Sequence, residues 1–445
     1  MTQSLWLKEN SSPGFTATKR KADVIVIGAG LTGLTTAWRL CQEGLDVIVL
    51  EAAEVGCGTS GHTTGKITSQ HHCIYAYLIE QVGKEKARLY AEANEWAVGE
   101  YRHLINSEHI ACNLQEQKAH VYTHEEENME VLEQEHTAAA KLGLPSSLES
   151  MPFCRNKVLT FSGQAQFNPQ QFLLGLAAKI IEHGGTIIEH ARVTKVDEKD
   201  SCAVYTENDL FEADSVVYAT LFPILDHTFF ALRLRPVLHH GMAFSVKKQT
   251  FEGMFIGVND ISYRYYGNTL IVVDGQQTLG DGANPYEVLE RTALKRFGAD
   301  NILARWSAHD LQSPDRVPFV GASAPLTQKQ FTATGFDAWG ITHAMVAARI
   351  ITDQIVARKN PWIDLYTPWR AGKTISMAAK KAKDTFTSLM KGKHICPHMG
   401  CGLVYNSWDQ TFDCPCHGSR FDLEGNILWG PAVKNVPAIK KDKSE

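Results

Sequence analysis

Two kinds of hydrophobic pattern alternate along the chain. Residues 24–27 and 47–50 are unbroken aliphatic runs, as in parallel strands buried on both faces. Between them, residues 31–43 predict a helix that Gly44 stops. Apolar positions such as Leu78, Val82, Leu89 and Trp96, set among many charges, predict a helix over 75–108. Residues 127–143 predict another, broken by Gly143 and Pro145. Asn168-Pro169 opens a helix over 170–183, and Gly184-Gly185 ends it. Strands are expected at 186–189, 193–196 and 213–220. From 226 to 309 the alternation changes to period two, as at 242–246 and 269–273, and predicts antiparallel strands. A strand over 331–334 then leads to a helix ending near Arg358. Residues 371–391 predict a linker helix, with Ile375, Ala379 and Phe386 on one side and Lys380, Lys381 and Lys383 on another. Residues 1–21 form a polar arm.

The first two strands and their helix carry chemistry. Gly28, Gly30 and Gly33 stand as G-x-G-x-x-G, and Glu51 ends the second strand. The first glycine permits the tight turn, the second lets the backbone approach a pyrophosphate, and the third lets helix and strand pack closely. The helix N-terminus faces phosphate charge, and Glu51 can accept from ribose hydroxyls. This complete βαβ unit predicts a dinucleotide site. The segment after it, rich in Gly, Ser and Thr, supplies small side chains and hydroxyls around a bound cofactor.

With that loop in view, the chain resembles the D-amino-acid-oxidase and glycine-oxidase-like FAD-dependent oxidoreductases. The resemblance implies that Thr59, Ser60, His62, Thr63 and Thr64 approach FAD. In relatives with covalent flavin a histidine sits in this loop, at the place of His62; a covalent link, a non-covalent contact and a structural role all stay open. The resemblance also sets the Val193 backbone against the adenine and Thr220 at the strand that returns to the cofactor. Gly335, Gly340 and Ile341 match the closing element, whose helix N-terminus would aim N–H groups at the flavin pyrimidine end. In amine-oxidising relatives an arginine and a tyrosine from the antiparallel sheet hold the substrate carboxylate. Tyr263 and Arg264 are the candidates, since an arginine fork suits a carboxylate; an exposed strand arginine among aromatics is the alternative.

The tail holds a second motif. Cys396-x-His398 and Cys414-x-x-His417 are joined by further cysteines at Cys401 and Cys416. A closed zinc site also accepts two cysteines and two histidines, but Cys-x-His is an unusual zinc spacing. The motif resembles a Rieske [2Fe–2S] centre, in which two thiolates bind one iron and two imidazoles the other. The resemblance implies Cys396, His398, Cys414 and His417 as ligands, a Cys401–Cys416 disulfide, and a Ser419 hydroxyl bonded to a cluster sulfur. It also implies that Gly430-Pro431-Ala432 covers the cluster. Phe421 replaces a tyrosine whose hydroxyl bonds a ligand cysteine, so the potential is expected to be lower; a redox titration of Phe421→Tyr that shows no rise would contradict this. Only about 25 residues separate the preceding domain from Cys396, so the strands that support a complete Rieske domain are short or missing, and the cluster loops are expected to lean on the flavin domain.

Composition narrows the reading. A net charge of −5 over 445 residues argues against a general nucleic-acid binder. No apolar run approaches transmembrane length. The N-terminus lacks a basic and then apolar leader, and six of the ten cysteines are scattered, which suits a reducing compartment such as the cytoplasm. The expected fold class is α/β: a Rossmann-type FAD-binding domain (22–75, 155–225 and 310–370) with an inserted antiparallel-sheet substrate domain (76–154 and 226–309). A small all-β Rieske module at 392–445, short of a full domain, completes it. The expected function is an FAD-dependent dehydrogenase that takes hydride from an amine or amino-acid-like small molecule. Its electrons would leave through the cluster to an external protein or quinone acceptor. An NAD(P)H-fed flavin reductase is the alternative, which a second βαβ unit with its own G-x-G-x-x-G for that nucleotide would support. A non-catalytic redox-sensing flavoprotein is another.

Overall fold

The parallel runs form the centre of the first of three sheets. The computed structural model describes residues 3–152, 154–224, 230–274, 284–325, 327, 329–370 and 394–437. Strand Lys21–Ile27 pairs in parallel with Val47–Leu50 on one side and with Leu210–Tyr218 on the other. Thr186–Ile188 extends one edge, and Gln330–Thr334 and Phe319–Ala322 extend the other. Alternation divides the central strands between two cores. Val24, Val26, Val47 and Val49 face helices Leu31–Gln42 and Gly340–Ile355. Ile25, Ile27, Ile48 and Leu50 face the strands Val193–Glu198 and Cys202–Thr206. Burial on both faces explains why these strands carry no polar alternation.

The second sheet is built on two eleven-residue strands, Arg235–Ser245 and Ile302–Gln312, paired antiparallel. Thr269–Val273, Ser262–Tyr266 and Met254–Gly257 continue it, as the period-two pattern predicts. Met254–Gly257 then joins Gln115–Tyr122 in parallel, the one departure from the antiparallel expectation within this path. Strand Cys154–Gln166 also belongs here, pairing with Gln115–Tyr122, Ser146–Met151 and Lys66–Ile67. The expected boundaries at 155 and 310 therefore fall inside strands of the second sheet. Helix Lys84–Ser107, expected in the cap, packs against Gly340–Ile355 in the first core.

The third sheet has four short strands, Val404–Asn406, Thr411–Asp413, Arg420–Phe421 and Ile427–Trp429. Its own core is small: Leu403, Phe412, Phe421, Ala432 and Val436 around the cysteines. The polar arm is more than a lead-in. Helix Leu5–Glu9 buries Leu5 and Trp6, and Trp6 Nε1 donates to the Thr63 carbonyl at 2.7 Å. The linker helix expected over 371–391 lies outside the described residues. No helix among the described residues is long and apolar enough to cross a membrane.

Candidate flavin and iron–sulfur sites

A cavity of about 1160 Å³ lies between the first two sheets, at the carboxyl ends of the parallel strands. It exceeds the roughly 300–1,000 Å³ usual for small-molecule pockets, which suits a dinucleotide with a small donor beside it. It opens where the order of the first sheet switches, since the neighbours of Lys21–Ile27 are the next strand and a much later one. Gly28 and Gly30 line it beneath the start of helix Leu31–Gln42. Gly33 does not line it but sets the helix on the strand: a Cβ there would stand 1.8 Å from the Gly28 carbonyl oxygen. The glycine cradle therefore fits a pyrophosphate approached by bare backbone.

Glu51 also lines the cavity, and its carboxylate accepts from the N–H groups of Ala29 and Ala53 at 2.7 and 3.0 Å. Burial pushes its carboxyl up, against the pull of these N–H groups. Val193 and Thr220 stand in the wall near it. Thr59, Ser60, His62, Thr63 and Thr64 form another stretch of the wall, as the resemblance implies. His62 Nδ1 hydrogen-bonds the Gly58 carbonyl at 2.8 Å, and burial pushes its imidazole below the usual range. Gly335, Gly340 and Ile341 complete the set. Helix Gly340–Ile355 has no side-chain cap at its start, so its first N–H groups stand at the cavity wall.

Tyr263 and Arg264 are not brought to this cavity, which corrects the expected carboxylate clamp. Alternation on Ser262–Tyr266 sends Tyr263 into an aromatic cluster, with ring centroids 4.9 Å from Phe255 and 4.7 Å from Phe297. Arg264 goes to the opposite face and is fully buried. Its guanidinium donates to the main-chain carbonyls of Thr64 and Phe167 and lies 5.4 Å from the Trp6 ring. Buried in this way, it ties loop to strand.

Other charged groups, not foreseen from the sequence, line the cavity. Arg316 is paired with Asp337 at 2.8 Å and Arg296 with Asp260 at 2.6 Å. Lys66 is buried, and its ammonium donates to the Phe255 carbonyl at 3.1 Å. Thr64, Lys66 and Thr68 alternate onto the cavity while Ile67 enters the core. Burial, with Arg264 nearby, pushes Lys66 down to about 7. The folded state then binds fewer protons than the unfolded state between pH 7 and the ordinary lysine value. Stability should therefore rise with pH across that window, on the order of 1 kcal/mol per pH unit from this group. Denaturant titrations of wild type and Lys66→Met at pH 7 and 9 should show a slope more positive in the wild type by about that amount. Asp310, pushed up to about 7 by burial, accepts from the N–H groups of Leu311 and Ala338. It pins a turn in which Asp337 and Ala338 are both left-handed, with φ of 49° and 70°. Two consecutive non-glycine residues of this kind are a strained turn that neighbours must hold.

The third sheet brings the tail motif together. Cys401 and Cys416 form a disulfide with Cα atoms 6.6 Å apart, and Cys414 Sγ lies within 4.8 Å of both sulfurs. The Cys396 and Cys414 thiols hydrogen-bond each other. The His398 and His417 rings face each other with centroids 4.9 Å apart. Paired thiols and paired imidazoles are the donor set that a Rieske cluster requires. Bonds from the Cys414 thiol, the His398 and Met399 N–H groups and Ser419 pull Cys396 down, against its burial. Ser419 Oγ also accepts from the Ala432 N–H at 3.2 Å, so the Gly430–Ala432 loop closes over the site. Phe421 is fully buried in this core.

Among the described residues, the module is supported by the second sheet. Arg420, 2% exposed, makes a fork to Asp413 at 2.6 and 2.7 Å and donates to Ser307 Oγ at 2.6 Å. Asp409 accepts from Tyr286 at 2.7 Å and from Ser307. Phe222, in the loop after Leu210–Tyr218, lies 5.6 and 5.8 Å from the rings of His398 and His417. The residues Leu428, Trp429, Gly430, Ala432 and Val433 line the same cavity as Gly28 and Thr63.

These sites define a two-centre redox protein, a dinucleotide-binding α/β unit closed by an iron–sulfur module. A model of the FAD dependent oxidoreductase family matches residues 23–354, and a model of the Rieske [2Fe-2S] domain matches 382–440. A Bacillus subtilis (strain 168) protein described as a putative Rieske 2Fe-2S iron-sulfur protein, YhfW, is 31% identical over 99% of this chain and 98% of its own. The cytochrome b6-f complex iron-sulfur subunit 2 of Nostoc is 54% identical over 45 residues, 10% of this chain and 25% of its own. Glycine oxidase from Geobacillus kaustophilus shares the fold, with a TM-score of 0.69 at 18% identity, over 80% of this chain and all of its own. The chain belongs to the FAD dependent oxidoreductase family and carries a Rieske domain at its C-terminus.

Proposed function

We propose that this protein is a dehydrogenase for an amine or amino-acid-like donor, with the cluster as its internal electron acceptor. The observation that carries this is the shared wall: the loop that covers the Rieske site also lines the flavin cavity. Bound FAD supplies acceptance of a hydride and release of electrons one at a time, and the cluster accepts them singly. The chain's own residues do the rest. Gly28, Gly30 and Glu51 hold the dinucleotide end, and the start of helix Gly340–Ile355 presents N–H groups where negative charge develops on reduction. Lys66, which a bound carboxylate would hold protonated, takes the place expected of Arg264 as the cation for the donor. Both arginines nearer the second sheet are already paired, whereas the Lys66 ammonium keeps two N–H donors beyond its bond to Phe255. Cys396, His398, Cys414 and His417 hold the cluster. A dehydrogenase is favoured over an oxidase because a built-in acceptor competes with oxygen; the final acceptor is a protein or a quinone in the cytoplasm.

The structural likeness to glycine oxidase supports an amino-acid-like donor. The placement of Arg264 favours a second reading, a redox-sensing flavoprotein without a donor of its own. Anaerobic stopped-flow mixing with a panel of amines and amino acids, against NADPH, tests both. Flavin bleaching by a panel member, followed by a Rieske-type EPR signal, is expected. Bleaching by NADPH alone would favour a reductase, and no bleaching at all would favour the sensor.

A further inference from the structure

At one point the wall between the two redox sites presents an aromatic side chain. The Trp429 indole lines the flavin cavity, with its ring centroid 5.9 Å from that of His62 in the flavin-approach loop. Its N–H donates to His309 Nδ1 at 2.8 Å. Tryptophan can only donate, so Nδ1 is the acceptor and the His309 proton sits on Nε2. Burial pushes His309 down to about 3 and keeps it neutral. The Arg420 guanidinium lies over the other part of the indole, 4.8 Å from its centroid. Trp429 is thus held by a hydrogen bond and a cation at once.

On its far side Trp429 is joined directly to the cluster loops. The next residue, Gly430, has φ +110°, and a Cβ there would stand 2.4 Å from Ser419 Cα. Only glycine lets this backbone rest on Ser419. Ser419 hydrogen-bonds Cys396, an expected cluster ligand. A short run therefore leads from cavity to ligand: the indole, one peptide bond, one backbone contact and one hydrogen bond. A second aromatic, Phe222, packs on the imidazole side, but it does not itself line the cavity.

We propose that Trp429 is the residue that couples the flavin to the cluster, within a module that stays docked. The inference rests on the function proposed above. For each hydride taken up, two electrons cross Trp429 one at a time. The external one-electron acceptor, a protein or a quinone, empties the cluster after each, and the proton left on the flavin goes to solvent.

The test uses the full-length holoprotein and needs no knowledge of the donor. Flavin is photoreduced anaerobically with EDTA as the electron source, and cluster reduction is followed by freeze-quench EPR. Trp429→Leu should slow flavin-to-cluster transfer by at least an order of magnitude, with the EPR line shape unchanged. It should also raise flavin emission, because a neighbouring indole quenches it. Trp429→Phe keeps a ring but loses the bond to His309, and should fall between. Phe222→Leu should transfer at close to the wild-type rate. An unchanged rate in Trp429→Leu, unchanged flavin emission, or slowing confined to Phe222→Leu would each overturn the proposal. Absence of transfer in the wild type would instead overturn the function proposed above, and this inference with it.

Discussion

Replacing Arg420 by leucine is expected to detach the iron–sulfur module from the flavin domain. The guanidinium is 2% exposed and serves three acceptors on two sides of the interface: Asp413 and Asp409 within the module and Ser307 on the second sheet. Removing it leaves two buried carboxylates without their cation. Breaking one side of such a buried pair costs roughly 3–5 kcal/mol, more than the pair itself contributes, because the remaining charge is stranded. The module's own apolar core is small, so it has little with which to absorb that loss. Thermal unfolding of Arg420→Leu should show an early transition accompanied by loss of the Rieske-type EPR signal. The flavin transition should follow close to its wild-type temperature. Arg420→Lys keeps the charge but loses the fork, and should fall between the two. A single transition at the wild-type temperature in Arg420→Leu would mean that apolar contacts such as Phe222 carry the docking.

Substituting Gly33 is expected to abolish flavin binding. Any side chain there places its Cβ 1.8 Å from a backbone carbonyl, and backbone cannot rotate away. Helix Leu31–Gln42 must lift off strand Lys21–Ile27, breaking the packing of Leu34 and Ala37 against Val24 and Val26. The cost for Gly33→Ala should reach roughly 3 kcal/mol or more, the upper part of the range for overpacked cores. Purified Gly33→Ala should carry almost no flavin by absorbance. Gly30→Ala is the informative comparison, because its Cβ meets the Ser60 hydroxyl at 2.7 Å, and a side chain can rotate. That variant should fold with a smaller loss of stability, that of the Ser60 bond to the Leu31 N–H, and lose flavin affinity. Full flavin content in Gly33→Ala would contradict the packing role assigned to this glycine.

Arg264 shows where reading the sequence stops. The motif Ser262–Tyr266 is a strand, as its pattern predicts, and arginine chemistry suits a carboxylate. Which face of the strand meets the cavity is decided elsewhere. Arg264 binds a carbonyl 200 residues away in sequence, at Thr64, and another 97 away, at Phe167. No local pattern carries that information. Lys66 carries no local signal for the same reason, since a lysine in a Gly/Thr loop reads as solvated until Phe255 and the second sheet close over it. Trp6 and Trp429 stand in short apolar stretches that name no partner; their distant contacts, Thr63 and His309, give them a place.

The sequence alone determined the two cofactor sites, because each is written in short spacings. Turn, helix and acid lie within 24 residues of Gly28, and each pair of cluster ligands lies within four. Such spacings fix geometry through local backbone structure, whatever surrounds them. The tertiary structure alone decided how the sites face each other. The contacts that join module to flavin domain, Arg420 with Ser307 and Trp429 with His309, span 113 and 120 residues. They form because a module with too small a core of its own must bury its polar and aromatic face against another sheet, and the second sheet offers buried acceptors for it. That burial brings the loop that covers the cluster ligands into the wall of the flavin cavity.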